Sequence, residues 1–158
     1  MRYIGIDPGL TGAFAILADD GLVNVWDMPI MPNGKGKAKI KNQVNPASLA
    51  GTIRACVGHD EVIAYMEMVS SMPKDAQSIA FSLGDSVGVM RGVLATLGIP
   101  LHLVRAKEWK RHFKLLQCGK DYSRTVAQQL FPSAPLELKK HHGRAEALLI
   151  AKYGSMQP

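Results

Sequence analysis

The opening residues constrain the fold more than any other stretch. Arg2-Tyr3-Ile4-Gly5-Ile6-Asp7 is apolar and β-branched, ends on an acid, and runs into Pro8-Gly9, which is turn chemistry. A strand of this composition is buried, and a buried strand rarely finishes in a carboxylate unless that carboxylate faces a cleft. Gly12 to Ala18 is a second apolar run, and Asp19-Asp20-Gly21 has the composition of a hairpin turn. Leu22 to Trp26 then alternates apolar and polar residues, as a half-buried strand does. Glu67 has the character of Asp7: Glu61 to Met68 reads EVIAYMEM, a strand with its carboxylate near the end. In open α/β sheets the ligand site lies at the carboxyl ends of the strands. If the two strands are parallel neighbours, a strand spacing of about 4.8 Å sets the two carboxylates against each other. Like charges that close repel unless a cation lies between them, and a hard divalent ion with oxygen ligands meets that need. Taken alone, either acid could instead serve a turn or a cap.

The rest of the chain alternates helices and strands. Met28 to Asn45 has no clear period; Pro29, Pro32, Gly34 and Gly36 break it, and Lys35, Lys37, Lys39 and Lys41 charge it. It reads as a mobile basic loop, either a solvated excursion or a nucleic-acid contact. Asn45-Pro46 begins a helix, cap then first position, that runs to about Val57 with Leu49, Ile53 and Val57 on one face. Val69 to Asp75 is a loop. Ala76 to Leu97 is a long helix with Ile79, Leu83, Val87, Met90, Val93 and Leu94 recurring at helical spacing, and with Gly84, Gly88 and Gly92 on one bare stripe. That stripe permits close packing of another element, either this chain's own sheet or a second copy. Leu101 to Val104 is a short strand, Ala106 to Phe113 a short basic helix or turn, and Tyr122 to Phe131 a helix stopped by Pro132. A final helix spans Gly143 to Tyr153, closed by Gly154. The order is βββ-α-β-α-β-α-α, with no linker or repeat, and predicts one domain over residues 1–158.

With 158 residues, 19 Lys+Arg against 13 Asp+Glu and a net charge of +6, the chain suits one core and a polyanionic partner. Cys56 and Cys118 are not in metal-type spacing, so neither a disulfide framework nor a cysteine zinc site is expected. The first residues lack the regions of a signal peptide, and no apolar run approaches the roughly 18 residues of a membrane span. A cytosolic setting with no membrane partner is the expectation.

Glu146 is the third acid of interest. It falls in the first turn of the last helix and shares a face with Leu149 and Ile150, more apolar than a solvent face. A carboxylate there is also simply favourable dipole chemistry. His142 lies at i−4 and His141 precedes it; either imidazole could bind metal or donate a proton. Three segments together, Ile6-Asp7-Pro8-Gly9, Tyr65-Met66-Glu67 and Gly143-Arg144-Ala145-Glu146-Ala147-Leu148-Leu149-Ile150-Ala151, resemble the acidic motifs of the RuvC Holliday-junction resolvases, closest to the short phage-type members. Val69 to Leu103 is similar to the family's loop and long helix, so the resemblance covers most of the chain in the same order. It implies an α/β, RNase H-like fold: a mixed five-stranded sheet with an antiparallel N-terminal hairpin and helices on both faces.

The resemblance further implies two Mg2+ ions, with Mn2+ as substitute, held by Asp7, Glu67 and Glu146. Two ions would activate water on one side of the phosphodiester and stabilise the leaving oxygen on the other. The chain departs from the family in its last motif, which usually carries Asp at the place of Glu146 and a second Asp or His about one turn earlier. Here Gly143 stands at i−3, and His142 is the nearest fourth ligand or catalytic group. Lys120 precedes a helix much as a functional lysine does in the family. Lys107, Lys110 and Arg111 form a basic cluster around Trp109, suited to phosphates. Arg144 and the Lys35, Lys37, Lys39 and Lys41 segment join the expected DNA contacts. Ser70, Ser71, Met72 and Lys74 sit where a loop could probe a junction centre. The implied activity is paired nicking of four-way DNA junctions by a homodimer, with the glycine-striped helix as the dimer element, in a bacterial cell or phage-infected host. The alternatives are a less selective branched-DNA nuclease of the same fold and a non-catalytic junction-binding protein. An actin-like nucleotide-binding protein shares the Gly5-Ile6-Asp7-Pro8-Gly9 opening but needs two lobes, for which the chain is too short.

Overall fold

Alternation of side chains along the first strand separates two cores. In β1 (Arg2–Asp7), Ile4 and Ile6 pack into one, Tyr3 against the other. The same alternation runs through β2 (Ala13–Ala18), where Phe14 and Ile16 join Ile4, and Ala13, Ala15 and Leu17 join the opposite side. The computed structural model describes residues 1–34, 40–70 and 76–157, with Lys120 by its backbone alone. Its main sheet continues with β3 (Val23–Asp27) on one side of the β1–β2 pair. On the other side lie β6 (Val62–Met68) and β7 (Leu101–Arg105). The strand order is β3-β2-β1-β6-β7; the first three are antiparallel, and β1, β6 and β7 are parallel. This is the expected five-stranded mixed sheet with its N-terminal hairpin. Helices cover both faces.

The face of Ile4 and Ile6 is covered by α1 (Pro46–Val57) and α2 (Gln77–Thr96). The Asn45 side chain accepts from the Ser48 N–H at 3.0 Å, and Pro46 opens the first turn, so α1 starts where the sequence indicates. Its Leu49, Ile53 and Val57 are buried as their spacing requires. The opposite face carries α3 (Ala106–His112), α4 (Lys120–Leu130) and α5 (His142–Gly154), the last preceded by a single 3-10 turn at Lys139–His141.

Gly5 lets α5 lie directly on the sheet. A Cβ at this position would stand 2.1 Å from the Ala147 carbonyl oxygen and 2.3 Å from the Ala151 nitrogen, both backbone atoms of α5. Gly154 serves a related purpose. It belongs to the helix rather than closing it in a left-handed turn, and a Cβ there would meet the Tyr65 ring at 2.2 Å.

Other expectations also shift. Within Met28 to Asn45 a small second sheet forms, β4 (Ile30–Pro32) against β5 (Asn42–Val44), with Met28 and Val44 buried in the core. The segment is thus anchored by two apolar residues and paired across β4 and β5, while Lys35, Lys37 and Lys39 lie outside the described residues. The apolar period of α2 holds only in its second half, where Met90, Val93 and Leu94 are buried; Ile79 is 50% exposed and Phe81 76%. Gly84, Gly88 and Gly92 have nothing within 4 Å of where a Cβ would stand, so their stripe packs on no part of the described chain. Among the described residues no helix is long and apolar enough to cross a membrane.

Gly5→Ala is expected to lower stability by about 1–3 kcal/mol, because a rigid helix backbone rather than a flexible side chain meets the new methyl. Gly51→Ala, on an exposed turn of α1 with open space around it, should be neutral or stabilising by about 0.5–1 kcal/mol. Paired thermal melts, at about 2–4 °C per kcal/mol for a chain of this size, separate the two outcomes.

Candidate active site

Ile6 of β1 pairs with Met66 of β6, so Asp7 and Glu67 each come one residue later on adjacent parallel strands. Both therefore stand at the carboxyl edge of the sheet, where the sequence placed them. The N-terminal turn of α5 approaches the same edge. A Cβ on Gly143 would come within 3.2 Å of Asp7 Oδ2 and 3.1 Å of the Thr11 carbonyl oxygen. The glycine at the position where an acid was expected is thus the residue that lets the helix end seat against Asp7. Glu146 follows one turn later on the same side, in the second turn of the helix rather than the first.

The charges register this convergence. Burial, then the neighbouring Glu146 and Glu67 carboxylates, push the Asp7 carboxyl well above its usual range, against a smaller opposing pull from Lys110. Glu67 is also raised, chiefly by burial, with Glu146 adding to the effect; a hydrogen bond from Trp109 and the charge of Lys110 oppose it. Lys110 Nζ lies 3.5 Å from Glu146 Oε1 and 5.0 Å from the centroid of the Trp109 ring. Lys110 is therefore half-buried among the acids rather than standing free with Lys107 and Arg111, which are exposed.

The donor set suits a hard divalent cation: carboxylate oxygens from separate elements, packed closely enough that the Glu146 charge raises the proton affinity of both Asp7 and Glu67. Among the described residues no three His, Cys, Asp or Glu side chains form a ready-made metal cage. The acids fit such an ion by charge and by atom type, with the Lys110 ammonium now beside Glu146.

Sequence reasoning did not find two partners in this region. Trp109, with no solvent exposure, donates its indole N–H to Glu67 Oε2 at 2.8 Å. The available signal was a tryptophan in a short helix directly after a strand, since a buried indole N–H needs an acceptor. The second is Asp27, at the end of β3, which Arg144 grips with two parallel bonds of 2.6 and 2.7 Å. The Arg144 guanidinium holds the Asp27 carboxyl below its ordinary range and also donates to the Pro135 carbonyl at 3.2 Å. Arg144, expected among the DNA contacts, is committed to this clamp. His142 is half-buried at the start of α5, and no hydrogen bond or ion pair among the described residues joins it to the three acids. Lys41 and Ser70 are exposed, Lys120 opens α4, and Ser71, Met72 and Lys74 lie outside the described residues.

No family model matches the chain. It is 31% identical over 150 residues to the chloroplastic Holliday junction resolvase MOC1 of Chlamydomonas reinhardtii, a match that takes in 83% of this chain and 17% of that protein. The chain thus spans about a sixth of the length of that relative. Its fold is similar to that of T. thermophilus RuvC in complex with a Holliday junction substrate, with a TM-score of 0.57 and 14% identity, over 96% of this chain and 90% of that one. A second Thermus thermophilus RuvC structure superposes with a TM-score of 0.51 and 19% identity, over 96% and 91% of the two chains. The likeness to these structures shows an RNase H-like fold.

Asp7→Asn should raise the melting temperature in metal-free buffer at neutral pH, by on the order of 1–3 kcal/mol of stability. The sign follows from the direction of the shift. A carboxyl whose folded pKa is raised is protonated more readily in the folded state, so its ionisation subtracts stability as pH rises through the unfolded and then the folded value. Below about pH 4, where the unfolded carboxyl is protonated too, the advantage of the variant should disappear. Melting curves of both proteins across acid to neutral pH, in a chelator, check this.

Proposed function

We propose that the chain belongs to the Holliday-junction resolvases and is a metal-dependent endonuclease that nicks four-way DNA junctions in symmetric pairs. The observation that carries the proposal is the meeting of Asp7, Glu67 and Glu146 from β1, β6 and α5 at one edge of the sheet. The metal is proposed as Mg2+, with Mn2+ in its place.

Bound to these carboxylates, two divalent ions would supply an activated water and a counter-charge for the leaving oxygen. The chain's own residues prepare the place. Asp7 and Glu67 are held by the sheet, and their spacing is set by the pairing of two strands rather than by flexible loops. Glu146 closes the group from the helix above. Lys110 keeps a positive charge within the acid group, where it can meet an anionic phosphate. His142 is the proposed fourth ligand or proton donor, by its place beside Gly143 at the head of α5.

Lys41, Lys107 and Arg111 are exposed and are proposed to bind the phosphate backbone without reading sequence, together with Lys35, Lys37, Lys39, Lys74 and Lys120. Ser70 and Ser71, following Glu67, are proposed to lie near the junction centre. Pairing of cuts calls for two sites related by a two-fold axis, hence a homodimer. The support for α2 as its interface is the open stripe of Gly84, Gly88 and Gly92 beside an exposed Phe81. The setting is proposed to be cytosolic, in a bacterial cell or phage-infected host.

The test is a cleavage assay on a mobile four-way junction, a Y-fork and a linear duplex, with Mg2+ and with Mn2+. Paired nicks in the junction alone are expected, and Asp7→Asn should keep junction binding while losing at least about 100-fold in cleavage. Equal cutting of the linear duplex would replace the junction-selective reading with a general nuclease of this fold. Binding without cutting in either metal would make the protein a non-catalytic junction binder.

A further inference from the structure

We propose that Trp109 is a positioning residue for Glu67, its indole N–H fixing one carboxylate oxygen so that the other remains the metal-facing donor. The inference rests on the metal-dependent reading above and adds to it a residue that touches neither the ion nor the DNA.

A buried indole N–H needs an acceptor, and backbone carbonyls are the commonest choice in a protein interior. Here the acceptor is Glu67 Oε2 at 2.8 Å, on an acid of the candidate site. The ring itself cannot follow a moving carboxylate. It has no solvent exposure and lies in the same core as Ala145, Leu148 and Leu149 of α5 and Leu115 beyond α3. Its backbone is held as well. Glu67 pairs with Val104 across β6 and β7, and β7 runs on through Arg105 into α3. There the Glu108 carboxylate accepts from the Arg105 N–H at 3.0 Å and closes the first turn of α3, one residue before Trp109. The acceptor is therefore carried on β6 and the donor on the short helix that continues directly from its parallel neighbour β7, so sheet pairing and the first turn of α3 together fix their separation.

Oε2 is committed, and no described partner engages Oε1. An acid at the end of a strand would otherwise sample several rotamers, each of which must be given up when a cation binds; a carboxylate pinned at one oxygen has already surrendered them. The same ring also seats the ammonium of Lys110, 5.0 Å from its centroid and 3.5 Å from Glu146 Oε1. One buried side chain thus sets an acid through its edge and a cation through its face.

The test is Mn2+ binding to the whole protein without DNA, followed by the loss of the free-ion paramagnetic resonance signal. Unmodified protein and Asp7→Asn come first: binding by the former and not the latter upholds the metal reading, and its absence in the unmodified protein overturns that reading together with this inference. Trp109→Phe should then weaken Mn2+ binding about 10-fold. The Mn2+ concentration needed for junction cleavage should rise in step, while junction binding in a chelator stays unchanged. A second variant guards against lost packing: benzothienylalanine at position 109 replaces the N–H by sulfur in a ring of the same shape. Weakened Mn2+ binding in this variant supports the proposal even if Trp109→Phe fails to fold. Mn2+ affinity equal to that of the unmodified protein, with the sulfur ring in place, overturns the role of Trp109 and leaves the metal reading standing.

Discussion

The direct contact of a helix backbone with a strand backbone organises this molecule. At Gly5 no side chain separates β1 from α5, and the helix contributes Ala147 and Ala151 to the contact. Small residues on both sides bring the helix axis close to the sheet, and dispersion across so short a gap favours a single docking depth. Everything at the carboxyl edge depends on that depth. With it, Gly143 reaches Asp7 and Glu146 stands above two strand ends; a bulkier seam would lift the helix and its acid away. The bidentate Arg144–Asp27 pair secures the same helix end to the far antiparallel strand, so α5 is tied to the sheet at its first turn as well as along its length.

The carboxyl edge is held at a cost. Its acids are partly stripped of water and repel one another, which is why Asp7 and Glu67 both take up protons more readily than free carboxylates do. Two features temper this: Lys110 inserts a positive charge, and the Trp109 N–H gives Glu67 a partner. Such compensation leaves the acids close and under-neutralised, a condition that favours divalent cations over water. Lys107, Arg111 and Lys41 stay exposed, so Lys110 is drawn in among the acids while neighbouring basic groups face solvent.

Much of this was readable from residue order. Apolar runs marked β1, β2 and β6 and alternation marked β3, Asn45-Pro46 marked the start of α1, and the acids at strand ends marked the edge where they meet. Strand-end position is a local property, and so it survives in one dimension. What could not be read depended on facing partners. Nothing near Arg144 in sequence says that Asp27, 117 residues away, will occupy it. Lys110 reads as one of a basic run until the depth of α3 is known, and only then is it distinct from its exposed neighbours Lys107 and Arg111. Gly143 looked like a missing ligand because a motif records residue types and not the space they occupy. Gly154 looked like a helix stop because glycine commonly is one; here it makes room for the Tyr65 ring. The half-exposed α2 followed from a period that continues past the surface it can cover.

The lineage of the pocket's parts along the polypeptide has a temporal consequence. Asp7 and Glu67 belong to strands whose parallel pairing requires the intervening crossover through α1, and Glu146 belongs to the helix that comes last among the described elements. Because a chain is made from its N-terminus, the strands that carry Asp7 and Glu67 precede the helix that carries Glu146. A folding intermediate without α5 would hold two of the three acids and leave the Tyr3, Ala15 and Leu17 face of the sheet uncovered.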